Sequence, residues 1–162
     1  MRSISMLLLA LALASPTAVA ADGASAQALL KRIASDGGRK VLWDLWEHER
    51  QFDQVVSGIE SGDPSWLKVA VALKPFSDAG ASPSINYAVA RALPNAPERV
   101  LALTTHGFNV EEVCTSPFIE PAPGVADAYE RRALAAPARM KGTALAPVAA
   151  ACAVQVRLPD GA

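Results

Sequence analysis

The sequence predicts an all-α protein of short antiparallel helices, either HEAT-like or an irregular helical bundle, fastened by one disulfide. Three observations predict it. Apolar residues after residue 20 recur at three- and four-residue spacings, and strand-like alternation is hard to find. Openings of the type Asp63-Pro64, Ser82-Pro83 and Ala96-Pro97 recur, each placing proline where a helix can start without losing a hydrogen bond. Two cysteines, Cys114 and Cys152, lie in the part of the chain expected to be exported, where an even count favours a bridge.

Residues 1–20 read as a secretory signal peptide. Arg2 precedes the apolar run Met6-Leu-Leu-Leu-Ala-Leu-Ala-Leu-Ala14, and Ala18-Val19-Ala20 supplies the small-x-small exit. The run is shorter than the roughly 20 residues of a membrane-spanning helix, so cleavage after Ala20 leaves no membrane anchor. The expected product is a single all-helical domain over 21–162, in the periplasm or secreted.

Along that domain, Ser25 is expected to cap a first helix carrying Leu29, Leu30 and Ile33, which Asp36-Gly37-Gly38 stops. A long second helix is expected over 39–60. Asp63-Pro64 opens the third helix through Leu73, and Pro75 ends it. Ser82-Pro83 opens the helix of Ile85, Ala88, Val89, Ala92 and Leu93; Ala96-Pro97 opens the next. Asn109 caps a short turn whose Glu111 and Glu112 suit a helix start. Three prolines between Ser116 and Gly124 make that stretch an extended connector. Helices are expected over 125–137 and 145–157, the last with Cys152 on its apolar face. A Cys114–Cys152 bond would then pin the last helix across the proline connector.

The pieces Gly62-Asp-Pro-Ser-Trp-Leu67 and Ser77-Asp-Ala-Gly-Ala-Ser82 stand with Ala88-Val-Ala-Arg-Ala-Leu-Pro94, Pro97-Glu-Arg-Val-Leu101, Cys114 and Phe118. Together they cover about half the mature chain, and the chain resembles a group of short exported, uncharacterised helical proteins from proteobacteria. The resemblance implies a fold and an address. It carries no catalytic residues.

Charge narrows the partners. Cleavage takes Arg2 alone from the 15 basic groups, leaving 14 against 16 acidic ones, a formal charge of −2. The basic residues are scattered pairs rather than a stripe, which excludes nucleic acid and anionic-surface binding as the main role.

Few side chains suggest chemistry. On a continuous second helix, Glu49 and Asp53 fall within the arc of Leu42, Leu45, Trp46, Phe52, Val56 and Ile59, where a carboxylate pair can act as acid and base or hold a hard cation. A kink near Glu49-Arg50-Gln51, or ion pairs with Arg39 or Arg50, resolves the same conflict without function. Asp44 and His48, one turn apart, can share a metal or make a surface hydrogen bond; no third ligand is visible. His106 sits where a helix should end, a position that suits the helix dipole. A triad can be drawn with Ser77 or Ser82 and Asp78, yet no G-x-S-x-G elbow supports it. The Ser77–Ser82 loop reads as a turn and cap, or as a small polar binding loop. Trp43, Trp46 and Trp66 can form a carbohydrate platform, but Trp46 and Trp66 lie on apolar faces and read as core, leaving Trp43 as the exposed aromatic.

Fold signals abound and reaction signals are missing. The sequence therefore points to an exported, non-catalytic interaction or structural module without cofactor or metal, engaging a protein partner in the periplasm. The alternatives are an inhibitor or immunity-like partner of a secreted enzyme, and a cell-envelope hydrolase using Glu49, Asp53, His48 or His106.

Overall fold

A computed structural model describes residues 18–135 and 137–157, with side chains described from Ser25 onward except at residues 137 and 138. Among these residues the chain forms nine α-helices and no strand: α1 Ala18–Asp36, α2 Gly38–Trp46, α3 Glu49–Glu60, α4 Pro64–Leu73, α5 Ala81–Ala92, α6 Pro97–Ala102, α7 Val110–Val113, α8 Val125–Ala135 and α9 Ala146–Gln155. Tight 3-10 turns follow α4 at Lys74–Phe76, α6 at Leu103–Thr105 and α8 at Pro137–Met140.

Side chains that satisfy free backbone N–H groups set several of these starts. Asp63 accepts from the amides of Ser65 at 2.7 Å and Trp66 at 3.3 Å, with Pro64 at the first helical position. Asn109 and Glu112 form a reciprocal capping box that allows the four-residue α7 to exist. Gly37, at φ +88°, turns the chain between α1 and α2.

The structure departs from the sequence expectations at three places. The first helix is not capped by Ser25; it starts at Ala18 and passes through that residue, because the alanine-rich run around it favours helix. The expected signal peptide lies mostly outside the described residues, and its last three residues are the beginning of α1. The long second helix is broken at Glu47–His48, where His48 leaves helical geometry at φ −122° and ψ 75°. That break rotates the inner face of α3 to Phe52, Val55 and Ile59, and carries Glu49 and Asp53 into solvent. Finally, α5 begins at Ala81 rather than Pro83: Ser82 lies inside the helix and gives no cap, and Asp78 accepts from the amides of Gly80 and Ala81 at 3.0 and 3.3 Å in the turn that leads into it.

Buried side chains from α1 to α9 form one cluster. The central helices are α4 and α5, whose Leu67, Val69, Leu73, Ile85 and Val89 are nearly or wholly hidden from water. The closest packings join α1 to α4 and α3 to α5. Both pass over at least one intervening helix, so helices distant in sequence share the core. Glycines make room for aromatic side chains. Gly58, inside α3, lies under the indole of Trp66, and a methyl group there would overlap the ring.

The C-terminal elements are tied back at two points. Cys114, just after α7, is bonded to Cys152 on α9 with a Cα separation of 5.3 Å. Tyr129 of α8 donates to the Ala90 carbonyl of α5 at 2.8 Å and packs edge-on to Phe118, ring centroids 5.5 Å apart. No helix among the described residues is long and apolar enough to cross a membrane.

Two outcomes are expected. Gly58→Ala should lower stability by about 1–3 kcal/mol in denaturant unfolding, since overpacking against Trp66 exceeds the gain in helix propensity; a stabilised variant would contradict the contact. Reducing the bridge, which closes a separation of 38 residues, should remove about 4 kcal/mol on the chain-entropy account. Hydrogen exchange should show the loss first in α9 and its surroundings, while α3, α4 and α5 keep their protection. Uniform loss across all helices would mean that the bridge supports the whole bundle.

Candidate functional site

Helix α5 supplies the site because it is only half-buried around Asn86 and Tyr87. Ile85, Ala88, Val89 and Ala92 face the core, and Tyr87 lies about 200° around the helix from Ile85 at 3.6 residues per turn. Its ring therefore stands on the outer face. Two open grooves meet there. One, of about 690 Å³, runs from Tyr87 past Asn86 and Ser82 to Asp78, Glu112 and Thr115. The other, of about 630 Å³, runs from Tyr87 past Phe52 and Asp53 to Glu49 and Trp46.

Tyr87 lines both grooves, and the exposed indole of the second is Trp46. It was expected in the core, yet it is 46% exposed, because the break after α2 turns it off the buried face. Its ring packs edge-on to Phe52 with centroids 5.3 Å apart, and its other side reaches the backbone of Gly80 in the Ser77–Ser82 loop. An exposed indole, a phenol and a small polar loop thus form one surface.

The carboxylates give this surface its sign. Asp78, Glu111 and Glu112 border the first groove, and Glu47, Glu49 and Asp53 the second. The one basic side chain lining either groove is Arg91, whose Nη1 is already committed to Glu60 at 2.7 Å. Two of the acidic groups are held in place by their own contacts. Amide hydrogen bonds from Ala81 and Gly80 keep the Asp78 carboxyl below its ordinary value. Burial pushes the Glu112 carboxyl upward, but hydrogen bonds from Lys74 and the Asn109 amide, with the charge of Lys74, outweigh it and bring the carboxyl down. Lys74 Nζ lies 2.5 Å from Glu112 Oε1 and 3.0 Å from Asn86 Oδ1, tying the turn after α4 to α5 and α7.

The residues singled out from the sequence are divided among different places. Glu49 and Asp53 share the second groove; both are exposed, and neither makes an ion pair among the described residues. His48 lies outside it, with Nδ1 2.7 Å from the Asp44 carbonyl oxygen. Asp44 turns its carboxylate to Arg32 and Lys40, and their contacts lower its pKa, the Lys40 hydrogen bond most of all. Trp43 is 64% exposed and borders neither groove, and Trp66 is buried. His106, at the end of the turn after α6, borders a separate cavity. Ser77, Asp78 and Ser82 line the first groove without a histidine beside them. Among the described residues no three histidine, cysteine or acidic side chains converge as a metal site. Tyr87 was not singled out from the sequence, although its outward place on α5 is legible there.

No family model, curated protein or solved structure matches this chain.

The depressed Glu112 carboxyl contributes stability that is present above the ordinary glutamate value of 4.5 and is lost as pH falls through its lower folded value. Glu112→Gln should therefore flatten, without abolishing, the acid side of the stability profile, since Asp44 and Asp78 remain. An unchanged acid slope in unfolding measurements from pH 6 downward would show that the Lys74 contact does not hold Glu112 ionised.

Proposed function

We propose that this protein is an exported, non-catalytic binding module whose protein partner docks along the Tyr87 groove. The observation that carries the reading is the pairing of exposed Trp46 and half-buried Tyr87 with six carboxylates along two adjoining grooves whose one basic lining residue is already paired. Exposed aromatic rings provide contact area at low entropic cost and attract cations to their faces. The surrounding negative field steers basic groups toward them. The partner is accordingly a protein that presents lysine or arginine side chains.

Export is supported by the pattern of residues 1–20 and is compatible with the Cys114–Cys152 bond, since such bonds persist in oxidising compartments. The non-catalytic reading is supported by the dispersal of the candidate groups. Glu49 and Asp53 share a groove with aromatic residues, whereas His48 and His106 stand elsewhere.

Affinity capture from a periplasmic extract with the full chain should return one stoichiometric partner. Retention should weaken at least about tenfold, or 1.4 kcal/mol, in Tyr87→Ala and Trp46→Ala, and should fall with added salt. The intact mass of the recovered chain should begin at Ala21. Capture indifferent to both substitutions would reject the groove. A cellular phenotype lost in Glu49→Ala, Asp53→Ala or His106→Ala, with thermal stability and partner capture both retained, would favour catalysis instead.

A further inference from the structure

A different kind of surface lies between α4 and the α6 region. Here a cavity of about 410 Å³ has Leu67 and Leu103 as its buried floor and Val71, Ala72 and Ala102 as half-buried walls. Around this carbon surface stand three exposed side chains, Lys68, Arg99 and His106, and no acidic residue lines it.

The contacts of Lys68 and Arg99 set the sign of this edge. Arg32, Lys40, Lys74 and Arg91 all meet carboxylates. Lys68 and Arg99 form no ion pair among the described residues. Arg99 donates from Nε to the Gly62 carbonyl at 2.9 Å, which holds its guanidinium beside the cavity while its terminal nitrogens stay available. An apolar floor with an unneutralised basic edge complements a molecule having an alkyl chain and an anionic head. The volume lies toward the small end of small-molecule sites, about 300–1,000 Å³, which suits one chain rather than a macromolecular segment.

We propose that this cavity binds a free, single-chain fatty acid, its alkyl chain on Leu67, Val71 and Leu103 and its carboxylate at the edge formed by Lys68, Arg99 and His106. The site is separate from the Tyr87 groove and does not depend on the reading given to that groove. The apolar floor supplies affinity in proportion to chain length, and the basic edge supplies the preference for an anion.

Titration of the full-length mature chain with octanoate, decanoate and dodecanoate, below their micellar concentrations, tests both parts. Affinity should rise about fourfold per added methylene until the cavity is filled. Decyltrimethylammonium, with the same chain and the opposite charge, should bind at least tenfold more weakly than decanoate. Val71→Asp, at a half-buried wall position, should abolish decanoate binding while circular dichroism and thermal midpoint show a folded chain. Lys68→Gln, on an exposed side chain, should weaken it about two- to fivefold. The proposal is overturned by equal binding of the cationic analogue, by decanoate binding that survives Val71→Asp, or by absence of binding at millimolar decanoate. It is equally overturned if the protein binds vesicles of anionic phospholipid but no monomeric fatty acid, since the edge would then be a membrane-surface contact.

Discussion

Arg91 is the interaction on which the two halves of the bundle depend. From the last turn of α5 its Nη1 donates to Glu60 on α3 and its Nη2 to the Pro117 carbonyl, both at 2.7 Å, while its Cζ lies 5.7 Å from the centre of the Phe118 ring. Phe118 in turn meets Tyr129, whose hydroxyl returns to the Ala90 carbonyl. Four segments distant in sequence therefore converge on one turn of α5. The guanidinium serves Glu60 and Pro117 from two separate nitrogens in a fixed fork, where a lysine would have a single ammonium to share between them.

This node explains how a proline-rich connector can be ordered without secondary structure of its own. Its backbone is denied helical hydrogen bonds by three prolines, so side chains from neighbouring helices supply the partners. Tyr129 shows the cost and its remedy together. Burial drives its phenol pKa upward, and the buried hydroxyl is matched by a carbonyl acceptor. The Cys114–Cys152 bond then acts further along, closing α9 onto the end of α7. The C-terminal region is consequently held by one covalent and one polar anchor.

The near-neutral total charge conceals an uneven distribution. Carboxylates border the Tyr87 groove, where the lining cation is paired internally, whereas cations border the cavity of Leu67 and Leu103. Recognition depends on these local fields, which fall off within about a Debye length, and not on the sum over the chain. Folding thus places some basic residues in structural ion pairs, such as Lys74 with Glu112, and others, such as Lys68 and Arg99, beside a cavity.

Much of the fold was legible because its causes are local. The Asp63-Pro64 opening, the Asn109 cap and the extended proline connector each follow from backbone donors and dihedral limits within a few residues. The disulfide followed from count and expected compartment. Other features were not legible because they depend on distant neighbours. The conflict of Glu49 and Asp53 with the apolar arc allows a kink near Glu49-Arg50-Gln51, but no local residue places the break at His48, which rotates α3 and moves both carboxylates outward. Tyr87 could be placed on an outer face by its period alone, but its meeting with Trp46 and Glu112 required the packing of α3, α5 and α7. The sequence by itself determined the helical class, the capped starts and the cysteine pair, since propensity, capping and cysteine count are properties of the chain. Only the tertiary structure decided which aromatic rings stay in water and which charges face a groove, because helix faces are assigned by the neighbours they pack against.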